Sequence, residues 1–178
     1  GLNRDKDIEF TEGMVLRFKF PLEGSSKFKD LILGDIAINN KEFDDFIILR
    51  SDGSPTYNFC AAVDDMEMKI TTVIRGDDHI TNTLKQINVL DALGATIPSY
   101  AHLPMVLAES GKRLSKRDGA EDILDYKKKG YLNDALVNYL VRLGWSHGEE
   151  EIFSLGKLKK IFNLEDVNSS PSKYSQEL

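Results

Sequence analysis

A single cysteine, Cys60, stands in the 178 residues. That count excludes an intrachain disulfide and any zinc site built on several thiolates within this chain. Histidine is nearly as scarce: His79, His102 and His147 are the three, and His79 and His102 have no partner at metal-ligand spacing. No apolar run approaches the ~20 residues that a membrane-spanning helix needs. Internal repeats and low-complexity tracts are absent. The sequence opens Gly1-Leu2-Asn3, without an initiator methionine, a signal-peptide stretch or a small-residue cleavage pattern, so a piece of a longer, cytoplasmic protein with no membrane partner is expected. The formal net charge of −6 argues against a wholesale basic nucleic-acid binder.

What is present reads as α/β. Met14–Phe20 alternates loosely and stops at Pro21, as a strand does. Glu23–Lys29 is a polar stretch. Leu31–Ile38 resembles a strand interrupted at Gly34, with Asn39-Asn40 as a turn. Phe46–Leu49 reads as a buried strand followed by a tight turn, Ser51–Pro55, where Asp52-Gly53 tolerates positive φ. Asn58–Met68 suits a short helix. The β-branched run Ile70–Ile74 suits a strand, ending at Arg75-Gly76-Asp77-Asp78. Ile80, Leu84, Ile87 and Leu90 recur at helical spacing, with Asp77 or Asp78 as N-cap and Gly94 beyond the end. Tyr100–Leu107 reads as a strand broken by Pro104. Strand, helix, strand, helix, strand predicts a parallel sheet. From Glu121 onward the periodicity turns helical, with Leu132, Leu136, Tyr139, Leu140 and Leu143 on one face and Leu155, Leu158, Ile161 and Phe162 on another.

Charge is unevenly spread. Residues 35–69 hold eight carboxylates against three cations, whereas residues 112–129 hold seven cations against four carboxylates. The centre of the positive stretch is Gly111-Lys112-Arg113-Leu114-Ser115-Lys116-Arg117-Asp118-Gly119. Such a loop suits polyphosphate, because lysine and arginine neutralise charge developing on a leaving pyrophosphate. It is not a Walker A loop: Arg113 follows Gly111-Lys112 where Ser or Thr is required, and Val106 stands where the first glycine belongs. A solvated basic turn is the plainer alternative. Arg75, at a strand's carboxyl end, is placed to grip a carboxylate bidentately; an ion pair with Asp77 or Asp78 is the alternative. Tyr57 either offers its hydroxyl to the same pocket or fills the core. Asp64-Asp65 reads as a turn or helix-cap pair rather than a metal pair. His79 belongs to a helix start, His102 to a strand and His147 to a loop, none with assigned chemistry.

Several blocks then converge. Arg113-Leu114-Ser115-Lys116-Arg117 resembles the KMSKS-type loop of class I aminoacyl-tRNA synthetases, in the form common among bacterial-type glutamyl-tRNA synthetases. In order and spacing, Leu49–Phe59, Val63-Asp64-Asp65, Val73–His79, Ala101–Pro104, Gly130-Tyr131-Leu132 and Leu143–Ser146 resemble further blocks of that family. The resemblance covers about Val15 to Val167. It implies the second half of a Rossmann-type class I synthetase catalytic domain, with a short β-rich insertion-domain tail and a C-terminal helical stem-contact segment. Residues 1–44 would end the acceptor-stem-binding insertion, 45–117 would form the catalytic half, and 118–178 the incomplete stem-contact region. The HIGH-type motif would lie before Gly1 and the anticodon-binding domain after Leu178.

The resemblance also implies chemistry. Glutamate attacks the α-phosphate of ATP, and a terminal ribose hydroxyl of the tRNA then takes the acyl group from the adenylate. Lys116 matches the motif's second lysine and is assigned to the ATP phosphates as the catalytic residue. Arg113 stands where the family usually has lysine, with Lys112 as a neighbouring cation. Leu114, Ser115 and Arg117 complete the loop, and Met105 and Val106 match positions whose backbone holds adenine. Tyr57 and Arg75 match glutamate-binding positions, and Arg75 disfavours a glutaminyl enzyme. ATP is a substrate accompanied by Mg²⁺, with no zinc site in this chain. L-glutamate and the acceptor end and stem of a glutamate tRNA are the other partners, and a monomer is expected. The 178 residues alone are expected to be inactive. A non-catalytic tRNA- or protein-binding module, and a paralogue that glutamylates a modified tRNA base, are the remaining readings.

Overall fold

The computed structural model describes residues 3–114 and 122–175. The described chain divides into two compact units. The first comprises residues 1–30, 34–73 and 79–100, and the second residues 31–33, 74–78 and 101–178.

In the first unit, β1 (Leu16–Phe18) pairs antiparallel with β4 (Phe46–Leu49). Phe18 stacks on Phe46 with ring centroids 5.3 Å apart, and Phe20, just beyond β1, is 1% exposed. The segment before β1 is tied down by Arg4, which donates to the Asp45 carboxylate and, at 2.7 Å, to the Phe20 carbonyl. A hairpin follows, β2 (Ser25–Asp30) against β3 (Gly34–Asn39). The polar stretch is thus itself a strand: Ser25, Lys27 and Lys29 face solvent while Ser26, Phe28 and Asp30 turn inward. The expected strand at Leu31–Ile38 begins only at Gly34, whose φ of +78° closes the hairpin turn.

Helix α1 (Tyr57–Glu67) occurs where a short helix is expected over Asn58–Met68, and helix α2 (Ile80–Ala92) where the periodicity places it. They pack through Ala62, Val89 and Leu90, with Phe18, Phe46 and Phe59 alongside. Ala62 is fully buried, which lets the two helices approach closely. Strand β5 (Thr72–Gly76) lies two residues later than the β-branched run suggests, so Arg75 is inside it. Asp77 and Asp78 are in a 3-10 turn ending at His79 and do not cap α2; His79 occupies that position without a side-chain cap bond. Gly94, at φ +66°, ends the helix as expected.

Strand β6 (Ser99–Leu103) and strand β7 (Val106–Leu107) divide at Pro104. The main sheet has the order β3-β2-β6-β5 and is mixed rather than parallel: β2 runs antiparallel to β3 and parallel to β6. Strand β4 is not in it and pairs with β1 in a separate two-stranded sheet.

The second unit takes the carboxyl ends of β5 and β6 and continues into α3 (Ile123–Lys128), α4 (Asn133–Arg142) and α5 (Leu155–Ile161). Asp122 and Ser154 cap α3 and α5 with their side-chain oxygens. A short strand absent from the sequence expectation, β8 (Ser172–Lys173), pairs parallel with β7. Trp145, Phe153, Leu158 and Val167 form this unit's core. The apolar face of α4 is only partly covered: Leu140 is 46% exposed, and Leu132, the N-cap, is 75% exposed. Beside it lies an open groove of about 910 Å³, walled by Leu136, Tyr139, Leu143 and Tyr174.

Candidate functional site

The cationic loop begins as a hairpin. The Leu114 N–H donates to the Val106 carbonyl at 3.1 Å, and the Ala108 N–H to the Lys112 carbonyl at 2.8 Å. Leu107 bridges antiparallel to Arg113. Gly111, at φ +77°, takes the left-handed conformation that this turn requires. Met105 and Val106 are therefore joined through the backbone to the first leg of the loop. Ser115, Lys116 and Arg117 lie outside the described residues.

Arg113 reaches out from that leg. Its Nη2 donates to Asp78 Oδ2 at 2.8 Å, with the two side chains 65% and 29% exposed. Asp78 thereby reaches the first leg of the loop. Gly76 makes room for it, since a Cβ there would stand 2.7 Å from Asp78 Oδ1.

Arg75 approaches His102. Its Nε donates to His102 Nε2 at 3.4 Å. His102 is fully buried, on β6 between Ala101 and Leu103. Spacing alone assigns His102 no chemistry; the available signal is an imidazole at a buried position of β6.

In the first unit Tyr57 opens α1 and is 56% exposed, which removes the core-filling alternative. Its ring stands edge-on to His79 at 6.3 Å. A line of amides runs behind His79. Gln86 Nε2 donates to Asn58 Oδ1 at 3.1 Å, Asn58 Nδ2 to Asn82 Oδ1 at 3.3 Å, and Asn82 Nδ2 lies 3.2 Å from His79 Nδ1. Gln86 is 1% exposed, so the line is anchored in the core. An amide buried as deeply as that of Gln86 is held by such bonding. Periodicity alone missed the line, because Asn58, Asn82 and Gln86 meet only when α1 packs on α2.

Among the described residues, no three or more His, Cys, Asp or Glu side chains cluster as a metal site. No described helix is long and apolar enough to cross a membrane.

Comparison with known proteins adds the lineage. Residues 3–178 match the family model of the class I tRNA synthetases (E and Q), catalytic domain. A glutamate–tRNA ligase of Nitrosospira multiformis is 57% identical over 163 residues, 92% of this chain and 35% of that protein. One from Coxiella burnetii is 54% identical over 178 residues, 99% of this chain and 38% of that protein. The chain thus spans little more than a third of these relatives' length. Among solved structures, a glutamate tRNA ligase from Elizabethkingia meningosepticum in complex with its amino acid superposes with a TM-score of 0.83. It is 35% identical, and the match covers 92% of this chain and 36% of that one. A glutamate–tRNA synthetase from Elizabethkingia anophelis gives the same score at 35% identity, covering 92% of this chain and 37% of that one. With an α/β architecture like that of these ligases and a family match over nearly its whole length, the chain belongs to the class I tRNA synthetases of the E and Q group.

Proposed function

We propose that the intact protein is a glutamate–tRNA ligase, attaching L-glutamate to tRNA at the expense of ATP through a glutamyl-adenylate. In the first step a substrate carboxylate oxygen bonds to the α-phosphorus and diphosphate leaves. In the second, the terminal ribose hydroxyl of the tRNA bonds to the acyl carbon and AMP leaves. Neither step asks a protein side chain to form a covalent bond, so the residues act by positioning and by stabilising phosphate charge.

The observation that carries the reading is Arg75 near the carboxyl end of β5, with its Nε turned to a buried imidazole. A guanidinium there matches a carboxylate side chain in charge and geometry, whereas a neutral amide would leave it uncompensated. Tyr57 supplies a hydroxyl to the same substrate. Met105 and Val106 hold adenine through their backbone. Arg113, Leu114, Ser115, Lys116 and Arg117 attend the ATP phosphates, with Lys116 acting on the transition state. Mg²⁺ arrives with ATP as part of that substrate.

In this reading residues 1–44 end the acceptor-stem-binding insertion, 45–117 are the second half of the Rossmann-type catalytic domain, and 118–178 belong to the stem-contact region. The enzyme works in the cytoplasm as a monomer on ATP, glutamate and the acceptor end and stem of a glutamate tRNA. The 178 residues by themselves do not aminoacylate. Pyrophosphate exchange with glutamate, ATP and tRNA tests that statement, and clear activity refutes it.

The deciding experiment is Arg75→Ala in the intact protein. A strong rise in KM for glutamate with KM for ATP nearly unchanged is expected. Equal effects on the two constants overturn the assignment.

A further inference from the structure

We propose that His102 is a positioning residue for Arg75, aiming its guanidinium and thereby setting affinity for the carboxylate substrate; this rests on Arg75 being the glutamate-binding cation. Three features of the structure carry it. The contact is directional, from Arg75 Nε to His102 Nε2 at 3.4 Å, between neighbouring strands of the main sheet. The imidazole is fully buried beside the equally buried Ala101, where an unused ring nitrogen is costly, so its bonding is built in rather than incidental. The bond also spends the least useful donor of the guanidinium. It takes Nε, and the paired Nη groups are the edge that matches a carboxylate end-on.

For Nε2 to accept, its proton must be on Nδ1, and the ring must be uncharged. A doubly protonated ring would have no lone pair to offer and would set a second cation against the first.

His102 acts through Arg75 and touches no reacting atom, so the test must separate aim from packing. In the intact protein, His102→Phe keeps an apolar-compatible ring and removes the acceptor. His102→Gln returns an oxygen near the position of Nε2. The expected result for His102→Phe is a roughly tenfold rise in KM for glutamate, the effect of losing one hydrogen bond to a charged group. KM for ATP and kcat at saturating glutamate stay within about twofold of the parent. His102→Gln recovers most of the glutamate affinity. Should His102→Phe fail to fold, His102→Gln and the ¹⁵N shifts of the native ring decide: an Nδ1–H tautomer with an accepting Nε2 supports the proposal, and an Nε2–H tautomer overturns it. An unchanged glutamate KM in His102→Phe overturns it too, as does a parallel loss in both KM values and kcat. Arg75→Ala is run alongside. If that variant leaves glutamate KM unaltered, the assignment of Arg75 itself fails; if it raises KM while His102→Phe does not, only the role of His102 fails.

Discussion

Arg113 and Asp78 are joined by an ion pair 2.8 Å long, although 35 residues separate them in sequence. The pair links the first leg of the cationic loop to the turn that follows β5. It is largely exposed, so it contributes at most about 1 kcal/mol, a factor of about five in any equilibrium it biases. That is too little to hold the fold and enough to compete with a phosphate for the guanidinium.

Asp78→Asn should therefore lower KM for ATP by up to about fivefold while leaving thermal stability within about 1 kcal/mol of the parent. Gly76→Ala should act in the same direction, since its methyl group would displace the Asp78 carboxylate from 2.7 Å away. Steady-state kinetics at low ionic strength measures both, because salt screens the pair. A rise in KM for ATP in either variant would mean that Asp78 aims Arg113 instead of occupying it.

Lys116→Ala should cost roughly 10²-fold in turnover, as expected when one preorganised donor to transition-state charge is lost. Glutamate KM should be little changed. Pyrophosphate exchange in the intact protein reads this directly, and unaltered adenylate formation would refute the assignment.

Acid should loosen the N-terminal strap. Burial works to raise the Asp45 carboxyl, but the Arg4 hydrogen bond, the Phe20 N–H and the Arg4 charge together hold it below its ordinary value of 3.8. A carboxyl lowered on folding adds stability that is fully present above the unfolded value and is lost as pH falls through the folded one. Asp45→Asn should flatten that acid limb and destabilise the protein by about 1–3 kcal/mol at neutral pH, the cost of losing charge-assisted bonds. Circular dichroism across pH 2–6 provides the check; superimposable acid limbs for the two proteins would exclude the mechanism.

Trp145 should tolerate loss of its nitrogen better than loss of its ring. It is 2% exposed, and its Nε1–H has no hydrogen-bond partner among the described residues. Trp145→Phe removes that unsatisfied donor while retaining a ring against Phe153, so it should cost no more than about 1 kcal/mol. Trp145→Ala should cost about 3–5 kcal/mol through the cavity it leaves. Denaturant unfolding compares the two, and equal losses would show that the nitrogen is satisfied in solution.

The elements legible in the sequence were those whose pattern is local. Helix α2 announces itself by periodicity, and the break at Pro104 by the chemistry of proline. Strand β2 did not, because three of its six residues are serine or lysine turned to solvent, and only pairing with β3 makes it a strand. Strand β8 is two residues long and exists only because β7 lies beside it. The site divides in the same way. Arg75, Tyr57 and the cationic loop were visible as residue types in particular places. His102, Asp78 and the line of amides behind His79 were not, since each acquires a role only from a partner distant in sequence.

The hairpin joining Val106 to Leu114 fixes more than the start of a loop. Its backbone bonds count residues: between the Val106 carbonyl and the Leu114 N–H the turn holds one particular number of them. Successive side chains on an extended leg alternate between faces, so inserting or deleting one residue there would exchange the sides to which Arg113 and Leu114 project. Composition within residues 107–113 is thus freer than length, and a single-residue change of length should be more damaging than most substitutions in the same turn.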